Sequence, residues 1–193
     1  MTARGLEGIR IREIAAEANL SPGSVLYHFP DHSQLLYAVH VDTVRSYLEG
    51  RATAAVATDA DAAQRLIAVL RAGVPPWANE HVIRLLYGLH DLARRSQEHA
   101  DLLTELWRDE LALYVEIIRA GMAEGLFAVD GAPEEVAAGL LALEDGLVLH
   151  RISNNSEISS DRVVAVFAGI ATEQLSCPRI AEYAAAGELP GVS

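Results

Sequence analysis

Two groups of side chains in this sequence carry recognisable chemistry. The first is Ser21, Gly23, Ser24, Tyr27, His28 and His32, small or polar residues on the outer side of one short segment. A short helix without bulky aliphatic groups on its outer face can approach a major groove and offer hydroxyls and ring nitrogens to phosphates and base edges. The bland alternative is a solvated turn with ordinary caps, and Ser21 serves both readings. Arg10 and Arg12 can reach phosphates nearby or simply be solvated. The second group is Trp77, His81, Tyr87, His90, Trp107, Tyr114 and His150. A few polar groups on an aromatic and aliphatic wall are what a small-molecule cavity requires. Taken singly, each of these is as well explained by packing, and Trp107 and Tyr114 fall on an apolar helical stripe that places them in the core first. Glu144 and Asp145 sit in a very apolar stretch, where an unpaired carboxylate is expensive. They suit an acidic pocket for a cationic small molecule. Alternatively, Asp145 pairs across a dimer with Arg151 or Arg162. Nothing suggests a catalytic apparatus: HExxH, GxSxG, GxGxxG and the phosphate-binding loop are absent, as are Glu-x-x-His pairs and Cys/His zinc spacings.

The first group needs elements to hold it. Ile11, Ile14, Ala15 and Ala18 recur at i, i+3, i+4 and i+7, the stripe of a short helix. Asn19 tolerates the left-handed conformation that ends a helix, and Leu20 adds an apolar contact. Ser21 is an N-cap residue and Pro22 a first-turn residue, so a second helix is predicted from Pro22 to His28, with Val25, Leu26 and Phe29 on its apolar side. Asp31 caps a third helix starting near His32. Two short helices joined by a tight turn make a helix-turn-helix.

The run from Arg12 to Leu36, REIAAEANLSPGSVLYHFPDHSQLL, resembles the DNA-binding signature of the tetracycline-repressor (TetR) family of one-component regulators. The matching residues are Ile14-Ala15, Ala18, Leu20-Ser21, Gly23, Tyr27-His28-Phe29, Pro30 and Leu35-Leu36. His32 stands where that family usually has a lysine anchoring a phosphate, and a histidine is only partly charged at neutral pH. The resemblance also implies a further helix before Ile11, covering the inner faces of Ile14, Ala18, Val25 and Phe29. Met1–Arg10 looks like the tail of that helix and the loop after it. The expectation is that in-frame coding sequence upstream of Met1 supplies the rest. A truncated head and cover by a partner chain are the alternatives.

Composition limits the field. The chain has 193 residues, 51% of them hydrophobic, enough for a sizeable core. The formal charge of −12 argues against a protein that coats nucleic acid nonspecifically. Residues 1–40 carry three arginines against four carboxylates, so almost all of the negative charge lies behind them. That asymmetry has the sign expected if only the front meets DNA. All fifteen basic residues are arginine, read as a mark of GC-rich coding sequence. The single cysteine, Cys177, excludes an internal disulfide, and no apolar run is long enough to span a membrane. A cytoplasmic protein is expected.

Behind the head, helical periodicity predicts a long rod from His32 to about Ala57, with Leu35, Leu36, Val39, Thr43, Val44, Tyr47 and Leu48 turned inward. Further helices are predicted over Ala62–Gly73, Trp77–Arg95, His99–Gly125, Pro133–Ile152, Arg162–Leu175 and Ile180–Ala186, with Asp59 or Asp61 capping the first and Ser160 or Asp161 the fifth. The pattern Gly125-Leu126-Phe127, Asp130, Pro133-Glu134, Ala137 and Asp145-Gly146-Leu147 resembles the regulatory domain of the same family. Val136–Leu149 and Val163–Leu175 are apolar on most sides, with Gly139, Ala142, Gly146, Ala165, Ala168, Gly169 and Ala171 permitting close approach. Such helices must be buried on most sides. A homodimer through helices 133–152 and 161–175, as a four-helix bundle, is therefore expected.

These observations converge on an all-α chain with a helix-turn-helix DNA-binding domain over residues 1–45, incomplete at its N-terminus, and an effector-binding and dimerisation domain over 46–193. The expected function is a ligand-responsive transcriptional regulator, a repressor released from a double-stranded DNA operator by a small-molecule effector. The DNA-contact set is Ser21, Gly23, Ser24, Tyr27, His28 and His32; the effector set is Trp77, His81, Tyr87, His90, Trp107 and Tyr114. No catalytic residue, metal or cofactor is expected. The competing readings are an all-α dimeric small-molecule-binding protein whose head no longer binds DNA, and an α-helical enzyme, which would show turnover or a stoichiometric metal.

Overall fold

The structure, a computed structural model, describes residues 11–56, 60–74 and 80–186; the side chains of Glu13, Ile14, Glu80 and His81 lie outside that description. All regular structure among the described residues is helical. The helices are α1 (Ile11–Glu17), α2 (Pro22–His28), α3 (His32–Ala55), α4 (Ala62–Gly73), α5 (Glu80–Ala93), α6 (Gln97–Ala123), α7 (Pro133–Ile152), α8 (Ser160–Gln174) and α9 (Arg179–Ala185). None of them is long and apolar enough to cross a membrane. The chain divides into two compact units, Met1–Thr43 and Val44–Ser193, the division falling inside α3.

In the first unit, α1 packs on α2. Its small core is Ala15, Val25 and Leu35, with Ile11 and Phe29 packed against it. Asn19 takes positive φ (54°) and the Leu20 N–H bonds to the Ala15 carbonyl at 2.8 Å, which closes α1. The Ser21 hydroxyl then accepts the Ser24 N–H at 3.0 Å, capping α2 with Pro22 in its first turn. Asp31 caps α3 by accepting the Gln34 N–H at 2.9 Å. Three sequence expectations are corrected here. Ala18 falls just past the end of α1 and is exposed; Leu26 lies on the outer side of α2 at 44% exposure; Val39 is on an exposed side of α3.

In the second unit, α6 and α7 form the centre. α5 packs on α6, α6 on α7, α7 on α8, α8 on α9, and α4 on both α6 and α9. Leu66, Ile67, Leu70, Leu89, Ile118, Leu140, Leu141, Phe167 and Ile180 are among its fully buried side chains. The cap of α4 is Asp61, in a reciprocal box with Gln64. Gly125 takes positive φ (71°) just past the end of α6, as a chain-reversal glycine does. The cap of α8 is neither Ser160 nor Asp161. Ser159 does this work, its hydroxyl accepting the Arg162 N–H, so the helix begins two residues earlier than periodicity suggests. The N-terminal part of the helix predicted from Trp77, and residues 57–59 at the predicted end of the rod, lie outside the described residues.

The two apolar helices of the C-terminal region carry an exposed line of small residues. Gly139, Ala142 and Gly146 on α7 and Ala165 and Gly169 on α8 are all exposed, with Leu149 at 49% and Ile170 at 39% beside them. A Cβ placed on Gly139, Gly146 or Gly169 would meet nothing within 4 Å.

Candidate functional site

On the head, α2 presents its outer side to solvent. Ser21, Gly23, Ser24, Tyr27 and His28 are all exposed, and His32 is half-buried at the start of α3. Tyr27 is 84% exposed, its ring edge-on to His28 at 5.2 Å. Tyr27 and His28 thus stand together on the solvent side of α2. The Ser21 and Ser24 hydroxyls are 2.9 Å apart, so Ser21 is occupied as a cap and Ser24 has the freer hydroxyl.

The second unit contains a pocket of about 330 Å³, at the small end of the range for small-molecule sites. α3 contributes Tyr47, α5 contributes Tyr87 and His90, α6 contributes Trp107 and Glu110, and α7 contributes Glu144 and Asp145; aliphatic groups such as Ile83, Leu86 and Val148 complete the wall. Three carboxylates and no arginine are among the lining residues.

The guanidinium that partly balances them stands behind the wall. Arg51 is wholly buried and grips Glu144 with two bonds, Nη1 to Oε1 at 2.5 Å and Nη2 to Oε2 at 3.0 Å. The Tyr114 hydroxyl donates to the same carboxylate at 2.5 Å. Arg51 Nη1 also donates to the Tyr47 hydroxyl at 2.7 Å, and that hydroxyl donates to Glu110 Oε1 at 2.9 Å. The Tyr47 and Tyr114 rings each lie 5.4 Å from the guanidinium carbon. Burial works against the charge on Arg51. Glu144 and the neighbouring phenols more than restore it, and its pKa stays above the ordinary value. α3 supplies this arginine because Val44, Tyr47, Leu48 and Arg51 fall at i, i+3, i+4 and i+7, one face of the helix.

With Arg51 committed to Glu144, the other two carboxylates are under-compensated. Burial, opposed by Arg51 at 3.5 Å and reinforced by Glu144 and Asp145, pushes Glu110 up to about 7. Burial and the adjacent Glu144 push Asp145 up to about 6; solvent reaches Asp145 from the open side, so Glu110 carries the larger effect. Tyr87 donates its hydroxyl to the Asp145 carbonyl at 2.9 Å, and burial with these acidic neighbours holds the phenol protonated. Burial lowers His90, which keeps its ring neutral near pH 7. The result is an aromatic-walled cavity with excess negative potential and no arginine among its described lining residues. A small cation there gains from each ring face by roughly 0.5–2 kcal/mol and from each carboxylate by several times that at low effective dielectric.

Of the side chains singled out in the sequence, Tyr87, His90 and Trp107 line this pocket, and Tyr114 stands one layer behind it, completely buried. Trp107 is therefore not a core residue: it is 47% exposed, its indole forming part of the pocket wall. Trp77 and the His81 side chain lie outside the described residues, and His150 is exposed and does not line the pocket. Of the two acids in α7, Glu144 pairs with Arg51 while lining the pocket, and Asp145 lines the pocket beside it. The sequence marks Tyr47 only as an inward residue of the rod, and Arg51 and Glu110 are not singled out there. Their signal was there: a polar residue at an inward position of an apolar stripe on each of two helices.

Gly73, the last residue of α4, tests the tightness of the arrangement. A Cβ there would lie 2.1 Å from Arg51 Nη1 and 2.2 Å from Glu144 Oε1. Those atoms are side-chain ends, but they are buried and pinned to one another. Alanine normally stabilises a helical position by up to about 1 kcal/mol over glycine. Here Gly73→Ala instead destabilises the protein by about 1–3 kcal/mol, because the ion pair must open to admit a methyl group. Chemical denaturation followed by circular dichroism measures it, and a stabilised variant would refute the packing described.

Comparison with known proteins agrees with both halves. The profile of the tetR family of bacterial regulatory proteins matches residues 1–39, and that of the C-terminal region of BetI-type transcriptional repressors matches residues 62–176. The transcriptional regulator BetI of Rhizobium meliloti is 29% identical over 170 residues, spanning 84% of this chain and 77% of that protein. The regulator PksA of Bacillus subtilis is 26% identical over 164 residues, 84% of this chain and 78% of its own. Among solved structures, a transcriptional regulator of Saccharomonospora viridis in complex with choline superposes with a TM-score of 0.78 at 24% identity, covering 89% of this chain and 88% of its own. A tetR-family regulatory protein of Rhodococcus RHA1 gives 0.65 at 28% identity, covering 91% and 90%. With the repressor profile alone spanning more than half its length, this chain belongs to the tetR family of bacterial regulatory proteins and is a DNA-binding transcriptional regulator.

Proposed function

We propose that this protein is a cytoplasmic repressor whose hold on its operator is relieved when a small organic cation enters the pocket between α3, α5, α6 and α7. The observation that carries the reading is the pairing of aromatic faces, Tyr47, Tyr87 and Trp107, with the under-compensated carboxylates Glu110 and Asp145. The choline bound to the Saccharomonospora viridis regulator, which shares this fold, is a cation of the chemistry such a wall favours. On the head, Ser24, Tyr27 and His28 read the major groove, with Ser21 capping their helix, Gly23 allowing close approach and His32 at a phosphate.

Titration with choline or tetramethylammonium, followed by the fluorescence of Trp107 and by calorimetry, tests the pocket. Saturable binding is expected, with the neutral carbon isostere of choline at least about tenfold weaker, since the carboxylates act only on charge. Equal affinity for the isostere would refute the cation reading.

Regulators of this family bind DNA operators and effectors as dimers. We place the contact on the exposed small-residue line of α7 and α8, Gly139, Ala142, Gly146, Ala165 and Gly169, where a second copy can approach closely. Gly146→Arg is expected to give monomers by light scattering while leaving the helical content unchanged, since a Cβ at this exposed position meets nothing within 4 Å. A dimer of undiminished stability would move the interface elsewhere.

A further inference from the structure

Glu110 faces two ways. Its carboxylate lines the pocket, and the same carboxylate accepts the hydroxyl of Tyr47 from α3. Tyr47 in turn accepts from Arg51, one turn further along α3, and Arg51 Nη1 stands 3.5 Å from Glu110 itself. α3 is one continuous helix from His32, in the candidate DNA-contact set, to Ala55. Thus the acid best placed to attract a cation is also an anchor of the helix that leads to the head.

We infer that Tyr47 is the residue through which occupancy of the pocket is passed to α3, by way of its hydrogen bond to Glu110. The inference rests on the pocket being a cation site. Among the described residues, the partners of Glu110 are groups of α3: the Tyr47 hydroxyl and the more distant Arg51 guanidinium. A cation beside Glu110 competes for that charge. It weakens the pull on Tyr47 and Arg51, and α3 is released to the position that Glu144 alone dictates. A ligand shifts such an equilibrium only by its differential affinity for the two positions, so the element that feels the difference must touch both ligand and helix. Tyr47 does: its ring is pocket wall, and its hydroxyl is the middle of the Arg51–Tyr47–Glu110 relay. Burial, with Glu110 and Glu144 beside it, keeps the phenol protonated and so able to donate. Tyr87, on the opposite wall, has an equivalent ring, but its hydroxyl is spent on the Asp145 carbonyl of α7 and has no bond to α3. Tyr47 is in this sense a positioning residue and Tyr87 its control.

The test uses the full chain and tetramethylammonium chloride as probe, against sodium chloride at matched ionic strength. Two quantities are read: the probe's Kd, and amide hydrogen exchange along the 44–55 stretch of α3. In the wild type the probe is expected to change α3 exchange. In Tyr47→Phe, which keeps the ring, the probe should still bind saturably while the α3 response disappears, a split that collapse of the pocket would not give. Tyr87→Phe should keep the response. A full-sized α3 response in Tyr47→Phe, or its loss in Tyr87→Phe as well, overturns the assignment. Binding to the wild type without any α3 response overturns the inference alone; no binding overturns the cation reading and the inference with it. Should Tyr47→Phe fail to fold, NMR of arginine-labelled wild type decides. The Arg51 side-chain signal, identified by its loss in Arg51→Lys, must move with the probe, and an unmoved signal refutes the link.

Discussion

Arg51→Ala is expected to cost about 3–5 kcal/mol of unfolding free energy, among the largest losses any single substitution in this chain would produce. The reason is what it leaves behind. Glu144 is 2% exposed and would lose both of its guanidinium bonds, keeping only the Tyr114 hydroxyl. The Tyr47 hydroxyl would lose its donor, and Glu110 the guanidinium 3.5 Å away. A buried carboxylate without a partner either stays ionised at great cost or takes up a proton. The pair itself is a different matter. Desolvating two charges offsets most of their attraction, so Arg51→Met combined with Glu144→Leu should recover most of the loss. Urea denaturation at fixed protein concentration, to hold any dimer equilibrium constant, gives the four corners of the cycle. If Arg51→Ala costs under about 1 kcal/mol, or if the double variant is no better than the single, the cluster is not the internal anchor described.

The contrast between what the sequence disclosed and what it hid follows from the range of the interactions. Helices are declared locally: the stripe Leu66, Ile67, Leu70 in α4, the Asp61–Gln64 box, the Ser21 cap with Pro22 after it, and the glycine after α6 are all readable within a few residues. So were the exposed candidates on α2, because a short helix with bulky apolar residues on one side must show the other side to solvent. The Arg51–Glu144 pair spans 93 positions, and no local period connects its ends. Periodicity places Arg51 on the inward face of α3 and Glu144 inside an apolar helix, but it does not say that they meet. Trp107 shows the converse. Its place on the stripe of α6 fits a core residue, yet it is half-exposed and a cavity takes the place of a packing partner. A period of 3.6 fixes the direction of a side chain and not what fills the space in front of it.

Glu110→Gln should separate the stability of this protein from its response. Burial raises the Glu110 pKa from 4.5 to about 7, with Glu144 and Asp145 on α7 adding to the effect and Arg51 and Tyr47 on α3 opposing it; His90, on α5, is held towards its neutral form. The folded state therefore holds this proton more tightly than the unfolded state. Below the unfolded value of 4.5 the group is protonated in both states and costs nothing. As pH climbs from there to about 7 the folded state is progressively penalised, and above it the penalty is complete, on the order of 3 kcal/mol for a group only 6% exposed. Glutamine carries no such charge and can still accept the Tyr47 hydrogen bond. The variant should be more stable than the wild type at about pH 8, by on the order of 1–3 kcal/mol. The gap should close as the solution is acidified, and vanish once the unfolded carboxyl is protonated too. Binding moves oppositely. A cation favours the ionised acid, so wild-type affinity for tetramethylammonium rises with pH through the interval in which Asp145 (about 6) and Glu110 (about 7) titrate, with protons released on binding. In Glu110→Gln the upper part of that rise should be missing and the affinity at about pH 8 at least tenfold weaker. Thermal melts and calorimetry in two buffers of different protonation enthalpy read both quantities on the same samples. A stability gap that ignores pH would mean that glutamine merely packs better. A loss of affinity that ignores pH would mean that Glu110 shapes the pocket without charging it. Only the two trends together, both absent in acid and opening in opposite senses towards alkali, identify a carboxylate whose destabilising charge in the folded protein is what draws the cation in.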